Sequence, residues 1–517
     1  MTSSQSRHSP PAEDASGAQD EIERVARQRF GVGYLYPIQR FVVSNVLDGH
    51  PQIVVLPTGA GKSLCFLLPS LLLPGPTLVL MPLLSLLADQ VRKLQAAGIS
   101  FGVLRGGLPP EEKARLWTGL RNGRISLLLA TPEACLAPAN LAALASCRIH
   151  HIVVDEAHCI SEWGQTFRPA YLSIGSLVRS LGVHMVSAFT ATASIEVTEC
   201  IRSQLYGDGE VRVVGENADR PGITYSITPV LCLQHAQAGV VRTAEHPLLV
   251  FCRTRNDTEV ACRTARRSCP DRPVFFYHAG LSREERAAVE AWFLTSGEGT
   301  LFATCAYGMG VDKPDIRTVV HDHVPSSVEA YLQESGRAGR DGRPSRAILL
   351  LDRRAEEAHR NRLTDQRSRD RFDRILSWAM QKGACRRNSL LSLIGQAAVA
   401  CSGCDVCDGS AAFQSEGEQE IVSFVARHKR RFTPAEAAEI LSGAAGPRAV
   451  RSFHDCIPGW GGLGQWMTHE AEAALHALIW QGSLRLLPRG PWKGHLTVQD
   501  HGSLPREDNC LDSHRMQ

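Results

Sequence analysis

The sequence predicts an α/β chain: two doubly wound parallel-sheet lobes in series, then a helical cysteine-bearing segment, then a winged-helix module. Three observations carry the prediction. Short apolar runs alternate with helical stretches between residues 20 and 350. The alternation restarts after "ENADRPG" (216–222), and beyond 352 strands give way to arginine-rich helical sequence. At 517 residues the chain has room for roughly three or four domains of ordinary size.

In the first lobe, "QIVVL" (52–56), "TLVLM" (77–81), "ISLLLAT" (125–131), "HIVVD" (151–155) and "MVSAFTAT" (185–192) read as strands buried on both faces, because parallel strands covered by helices need no polar alternation. Helical stretches such as "LLSLLADQVRKLQAAG" (83–98) separate them. The second lobe repeats the pattern with "HPLLVFC" (246–252), "PVFFYH" (273–278), "GTLFATC" (299–305), "IRTVVHD" (316–322) and "SRAILLL" (345–351). Two such sheets imply a cleft between them. "SLRLLPRGPWKGHLTV" (483–498) reads as two short strands around a Pro/Gly turn, which after helices suggests the wing of a winged helix. The expected boundaries are a polar tail at 1–20, lobe 1 at 21–215, lobe 2 at 216–352, a helical cysteine-bearing subdomain at 353–410, the winged-helix module at 411–500 and a polar tail at 501–517.

Hydrophobic residues make up 44% of the chain and charged residues 21%, enough for real cores, and the net charge of +3 leans only mildly towards polyanions. No apolar run reaches the roughly 18 residues of a membrane span. The N-terminal stretch has no apolar signal region, so no membrane contact and a cytoplasmic protein are expected. Most of the 16 cysteines, among them Cys65, Cys147, Cys200 and Cys252, stand among apolar residues and read as free thiols.

"LPTGAGKSL" (56–64) follows a strand and opens a helix. In that setting Thr58, Gly59 and Gly61 form a loop whose N–H groups turn towards phosphate oxygens, Lys62 reaches the β/γ-phosphates, and the Ser63 hydroxyl ligates Mg²⁺. "DEAH" (155–158) ends the strand "HIVV". Asp155 would hold Mg²⁺, and Glu156 would orient and deprotonate the attacking water. The bland alternatives are a glycine turn and a strand end with two solvated carboxylates, but each motif supplies what the other lacks. Phosphoryl transfer also needs positive charge at the γ-phosphate. Arg337 and Arg340 in "YLQESGRAGRDG" (331–342) would supply it from the second lobe, facing one way from a helical turn. Read alone, that segment is better taken as a solvated basic loop; paired with a P-loop lobe, its arginines would make closure ATP-dependent.

Taken together, "FGVGYLYPIQ" (30–39), "PTGAGKSLCF" (57–66), "MPLLSLLADQV" (81–91), "DEAHCISEWGQTFRP" (155–169), "AFTATA" (188–193), "VFFYHAGLS" (274–282), "ATCAYGMGVDKPDIRTVVH" (303–321) and "YLQESGRAGRDG" resemble the RecQ family of superfamily 2 DNA helicases over roughly residues 20 to 500. The resemblance implies RecA-like lobes and an ATP- and Mg²⁺-dependent enzyme of DNA repair and recombination. It would track single-stranded DNA 3′ to 5′ and unwind forked or 3′-tailed duplexes, expected here as a monomer. It also implies that Gln39 reads adenine. Val32 stands where the family usually has an aromatic and Tyr36 where it has arginine, so Tyr36 would stack on the base instead. Trp163, Phe167 and Arg168 match the family's DNA-sensing loop, with Gln165 and Thr166 in place of its usual His-Asp pair. The alternatives are a nucleic-acid-stimulated ATPase or remodeler without productive unwinding, and a DNA-binding scaffold.

Cys385, Cys401, Cys404 and Cys407 have the spacing C-x15-C-x2-C-x2-C, which suits a tetrahedral four-thiolate Zn²⁺ site with no open position for chemistry. Free thiols and an iron–sulfur cluster are the other readings; the resemblance favours zinc. For duplex DNA the candidates are "RHKRR" (427–431), otherwise a solvated helix end, and Arg485, Arg489, Trp492 and Lys493 of the hairpin. An exposed Trp492 would stack on a terminal base pair. Trp460 and Trp466 are expected to pack the module.

Overall fold

A computed structural model describes residues 14–57, 60–82, 84–162, 169–191, 193–215, 219–308, 313–444 and 456–499. The first lobe contains β1 (Gln52–Val55), β2 (Thr77–Leu80), β3 (Gly102–Leu104), β4 (Leu127–Ala130), β5 (His151–Val154), β6 (Val186–Thr190) and β7 (Arg212–Gly215). They form one parallel sheet in the order β3-β4-β2-β5-β6-β1-β7. Every residue of β1, β2, β4, β5 and β6 is buried, as the apolar runs predict. The sequence patterns missed β3 and β7. The first is three residues long, and the second is an edge strand with three of its four residues exposed, so neither needs an apolar run.

The second lobe holds β8 (Ile223–Pro229), β9 (Leu248–Phe251), β10 (Val274–Tyr277), β11 (Thr300–Ala303), β12 (Thr318–His321) and β13 (Ser345–Leu351), parallel in the order β10-β11-β9-β12-β13-β8. The strand missed here is again an edge. In β8 burial alternates along the chain, because one face meets the core and the other does not. A helix at Asp14–Phe30 begins inside the stretch expected to be a tail.

Helices Arg353–Arg362, Gln366–Met380 and Arg386–Leu393 follow lobe 2. Phe372, Ile375, Trp378, Leu390 and Leu391 share one apolar cluster with Ile223, Tyr225 and Tyr331, so the core of lobe 2 runs on past residue 352. The cysteine segment is pinned to the lobe 2 edge. Tyr225 bridges Cys404, Asp405 accepts from the Ile227 N–H at 3.0 Å, and Arg386 donates to Asp405 at 3.1 Å. Both members of that last pair are buried, so removing either would leave an uncompensated charge costing about 3–5 kcal/mol.

A further unit comprises helices Glu418–Arg427, Pro434–Ser442 and Thr468–Trp480 and the antiparallel hairpin β14 (Leu484–Leu486) and β15 (Leu496–Val498). Its core includes Leu231 and Cys232 of lobe 2. Trp466 packs as expected: it is buried and stacks on His235 of lobe 2 with ring centres 4.0 Å apart. Trp460 packs on the same core.

Among the described residues no helix is long and apolar enough to cross a membrane. Cys65, Cys147 and Cys252 are buried free thiols, and Cys200 is half-buried. Burial pushes the Cys65 thiol up to about 12, which makes it unreactive.

Candidate nucleotide and metal sites

Strand order places the first site. β6 lies between β1 and β5, so the loop after β1, the carboxylates after β5 and Thr190 at the end of β6 emerge side by side at one sheet edge. Gly61 sits at φ +78°, a left-handed conformation that suits glycine, and starts the helix Lys62–Ser70. A Cβ on Gly61 would lie 2.5 Å from the Gln39 amide nitrogen, so that side chain packs directly on the loop. The Gln39 amide donates to the Ala60 carbonyl at 2.8 Å and accepts from the Tyr36 N–H at 3.0 Å. Tyr36 is 62% exposed and meets Tyr34 edge to face at 5.8 Å, leaving an open aromatic pair beside Gln39. Thr58 and Gly59 lie outside the described residues.

Lys62 Nζ is 3.5 Å from a Glu156 carboxylate oxygen and is buried without a hydrogen-bond acceptor, as a phosphate-binding lysine would be. Ser63 Oγ accepts from the Gln90 amide at 2.7 Å, which fixes the hydroxyl at the helix start. Glu156 has φ +48°, a sparsely populated conformation for a side-chain-bearing residue. The Glu156 N–H donates to Asp155 Oδ1 at 3.0 Å. Asp155 is buried and Glu156 half-buried, and the two carboxyls titrate apart. Burial, then the Glu156 charge, raises Asp155 above the usual carboxylate range. Burial opposes ionisation of Glu156 too, but Lys62 and His158 outweigh it and hold that carboxyl low.

His158 joins the site to the other lobe. Its Nδ1 is 3.1 Å from Thr190 Oγ1 and 3.4 Å from Glu156 Oε2, and its Nε2 is 3.1 Å from the amide nitrogen of Gln333. Gln333 lies on helix Val328–Ser335 of lobe 2, which runs into the turn carrying Arg337 and Arg340. That turn corrects the sequence reading. The helix ends at Ser335, so the two arginines do not share a helical face. Nor is the segment a solvated loop: Arg337 is buried and Arg340 half-buried. Burial and the adjacent Arg340 guanidinium pull Arg337 down to about 10, still a cation at neutral pH, and the Glu156 charge acts on it from lobe 1. Gln90, His158, Thr190 and Gln333 went unnoticed as site residues because they are polar singletons that only the fold brings together. Val32 packs on a small core behind the loop.

Trp163, Gln165, Thr166, Phe167 and Arg168 lie outside the described residues. Just before them, Ser161 accepts through both its carbonyl and its hydroxyl from Arg371, at 3.2 and 2.7 Å.

The four cysteines do converge. The sulfurs of Cys385, Cys401, Cys404 and Cys407 all lie within 4.8 Å of one another, and Cys385 and Cys404 are 4.0 Å apart. Zn–S bonds of about 2.3 Å place tetrahedral thiolates about 3.8 Å apart, so the set fits a zinc ion after small contraction. The Cys407 N–H donates to Cys404 Sγ at 3.4 Å.

The hairpin presents Arg485, Arg489, Trp492 and Lys493 to solvent. Trp492 is 48% exposed and braced edge-on by His495 at 5.7 Å. "RHKRR" joins this surface, since the Arg430 N–H donates to Leu496 O and Leu496 N–H to Phe432 O. One of its residues is misread as solvated: His428 is buried and lies 2.9 Å from the Pro458 carbonyl. Arg427, Lys429, Arg430 and Arg431 are exposed.

Comparison with known proteins agrees with this layout. Residues 36–200 match the DEAD/DEAH box helicase family and residues 233–342 the helicase conserved C-terminal domain. The chain is 37% identical over 339 residues to the probable ATP-dependent DNA helicase RecS of Bacillus subtilis, covering 64% of this chain and 66% of that protein. To the ATP-dependent DNA helicase RecQ of Pasteurella multocida it is 30% identical over 435 residues, covering 82% of this chain and 68% of that protein. It thus spans about two thirds of the length of these relatives. The crystal structure of the DUF1998 helicase MrfA bound to DNA shares the fold, with a TM-score of 0.54 over 93% of this chain and 63% of that one at 17% identity. With both helicase halves matched in order, and a relative of this identity and coverage, the chain belongs to the RecQ family of ATP-dependent DNA helicases.

Proposed function

We propose that the chain is an ATP- and Mg²⁺-dependent DNA helicase that translocates 3′ to 5′ on single-stranded DNA and unwinds forked or 3′-tailed duplexes, as a cytoplasmic monomer in DNA repair and recombination. The observation that carries the reading is the position of His158, 3.4 Å from Glu156 Oε2 in its own lobe and 3.1 Å from the Gln333 amide nitrogen on a helix of the other. Relatives named as ATP-dependent DNA helicases support it.

In this reading Gln39 and Tyr36 hold the adenine, and Thr58, Gly59, Gly61 and Lys62 hold the phosphates. Ser63 and Asp155 would ligate Mg²⁺, which when bound screens charge between the phosphates. Glu156, ionised beside Lys62, takes the proton of the attacking water. Arg337 and Arg340 bring positive charge from lobe 2 to the γ-phosphate as its bond to ADP breaks, so hydrolysis requires closure. Reopening after phosphate loss would move the lobes along the strand. Trp163, Phe167 and Arg168 follow the hydrolytic carboxylates closely enough in sequence to report DNA contact to them. Zinc on the four cysteines would be structural. The three helices and hairpin would act as a winged helix, with exposed Trp492 stacking on the terminal base pair and the surrounding cations meeting phosphates.

The three-residue strands of the hairpin motivate a second reading, a DNA-stimulated ATPase that does not separate strands. The test of the enzyme itself is ATP hydrolysis titrated with single-stranded DNA. Stimulation of tenfold or more is expected, and no stimulation at saturating DNA would reject both readings.

A further inference from the structure

The turn carrying Arg337 and Arg340 is held from behind by a third arginine. Arg220 lies in the short link that enters β8, and its guanidinium donates to three carbonyls of the turn: Gly336 at 2.9 Å, Ala338 at 3.2 Å and Gly339 at 3.3 Å. Gly336 is the C-cap of helix Val328–Ser335, where the helix dipole favours a cation, and Ala338 and Gly339 belong to the turn that follows. A planar guanidinium can serve several of these carbonyls at once, and a lysine cannot. Gly339 has φ +58°, and a Cβ there would come within 2.7 Å of the Arg343 carbonyl, so the turn has little other freedom.

The link bearing Arg220 is itself braced by the cysteine module. Arg387, two residues after Cys385, donates to the Asp219 carboxylate, to the Arg220 carbonyl at 3.0 Å and to the Ile223 carbonyl. Ser402, beside Cys401, donates to the Pro221 carbonyl at 2.8 Å. A continuous set of bonds therefore runs from the cysteine cluster through residues 219–223 to the arginine turn.

We propose that Arg220 is a positioning residue for Arg337 and Arg340, and that the cysteine module sets the geometry of that turn through Arg387 and Ser402. The proposal rests on the reading of Arg337 and Arg340 as the charge delivered to the γ-phosphate. The hydrogen bonds of Arg220 to the carbonyls of the turn place it behind Arg337 and Arg340, so its loss acts through the placement of those two. A misplacement of about 1 Å at a catalytic group can cost about 10²-fold.

The test is binding of fluorescent ADP, with and without aluminium fluoride as transition-state trap, in the presence of Mg²⁺ and single-stranded DNA. Arg220→Ala, Arg220→Lys, Arg387→Ala, Arg337→Ala and the double variant Arg220→Ala/Arg337→Ala are compared with the unaltered chain. Arg220→Ala is expected to weaken the trapped complex by about 10²-fold while ADP alone binds within about twofold of the unaltered chain. Arg220→Lys, which keeps the charge and folds if the alanine variant does not, should fall between the two. Arg387→Ala should weaken the trapped complex in the same direction with zinc content unchanged. The double variant should lose less than the two single losses combined, since part of the Arg220 effect passes through Arg337 and the rest through Arg340. Unchanged trap affinity in Arg220→Ala and Arg220→Lys, or an additive loss in the double variant, would overturn the positioning role. If Arg337→Ala itself leaves trap affinity unchanged, the reading of Arg337 fails instead.

Discussion

Gln333 and His158 stand in different lobes, yet the Gln333 amide nitrogen lies 3.1 Å from His158 Nε2. The same amide nitrogen is 3.3 Å from His158 Nδ1, and Thr190 Oγ1 and Glu156 Oε2 lie 3.1 and 3.4 Å from that ring nitrogen. His158 thereby stands between Glu156 of lobe 1 and the lobe 2 helix that leads to Arg337.

That contact predicts a coupling variant. Gln333→Ala should lower the DNA-stimulated kcat about five- to tenfold, the worth of one hydrogen bond at the transition state, with ADP affinity unchanged. Stimulated and basal rates measured together decide it. An equal fall in both, with a lower melting temperature, would point to a packing role.

The hairpin predicts a separation of activities. Trp492→Ala removes a half-exposed ring and one stacking contact worth about 1–3 kcal/mol, so strand displacement should slow about tenfold while single-strand-stimulated hydrolysis stays unchanged. Unaltered displacement would remove Trp492 from the duplex contact.

The cysteine cluster predicts a metal stoichiometry. Cys404→Ser should lose about one zinc per chain and lower thermal stability, because binding energy of a structural zinc is folding energy. Metal analysis that finds the same content in the variant would reject these ligands.

His151 predicts a pH dependence of stability. It is fully buried in β5, 3.0 Å from Ser187 Oγ, and burial, then the neighbouring His150, lowers its pKa to about 3 from 6.5. The folded state keeps it neutral while the unfolded chain protonates it. Its contribution is therefore complete above pH 6.5 and is lost as the pH falls from there towards 3, at about 1.4 kcal/mol per pH unit. Denaturant unfolding at pH 7, 6 and 5 should show that slope, and His151→Gln should flatten it. Equal slopes would assign the acid sensitivity to other groups.

What the sequence made legible follows from how each feature is encoded. Strands buried on both faces are mostly apolar, so β1, β2, β4, β5 and β6 stand out, while the edge strands β7 and β8 do not. The loop at Gly61–Lys62, the carboxylates at Asp155–Glu156 and the four cysteines are local patterns with fixed spacing. Thr190, Gln333 and Arg220 are isolated polar residues whose meaning lies in partners between 32 and 175 positions away. The spacing of Arg337 and Arg340 suggests that both face one way from a helical turn, but the helix ends at Ser335 and Gly339, at φ +58°, interrupts the turn between them.

The most direct measurement is ATP-driven strand displacement on 3′-tailed and 5′-tailed duplexes, with Lys62→Ala as control. Displacement of the 3′-tailed duplex alone is expected, and none by Lys62→Ala. DNA-stimulated hydrolysis without displacement of either duplex would contradict the helicase reading.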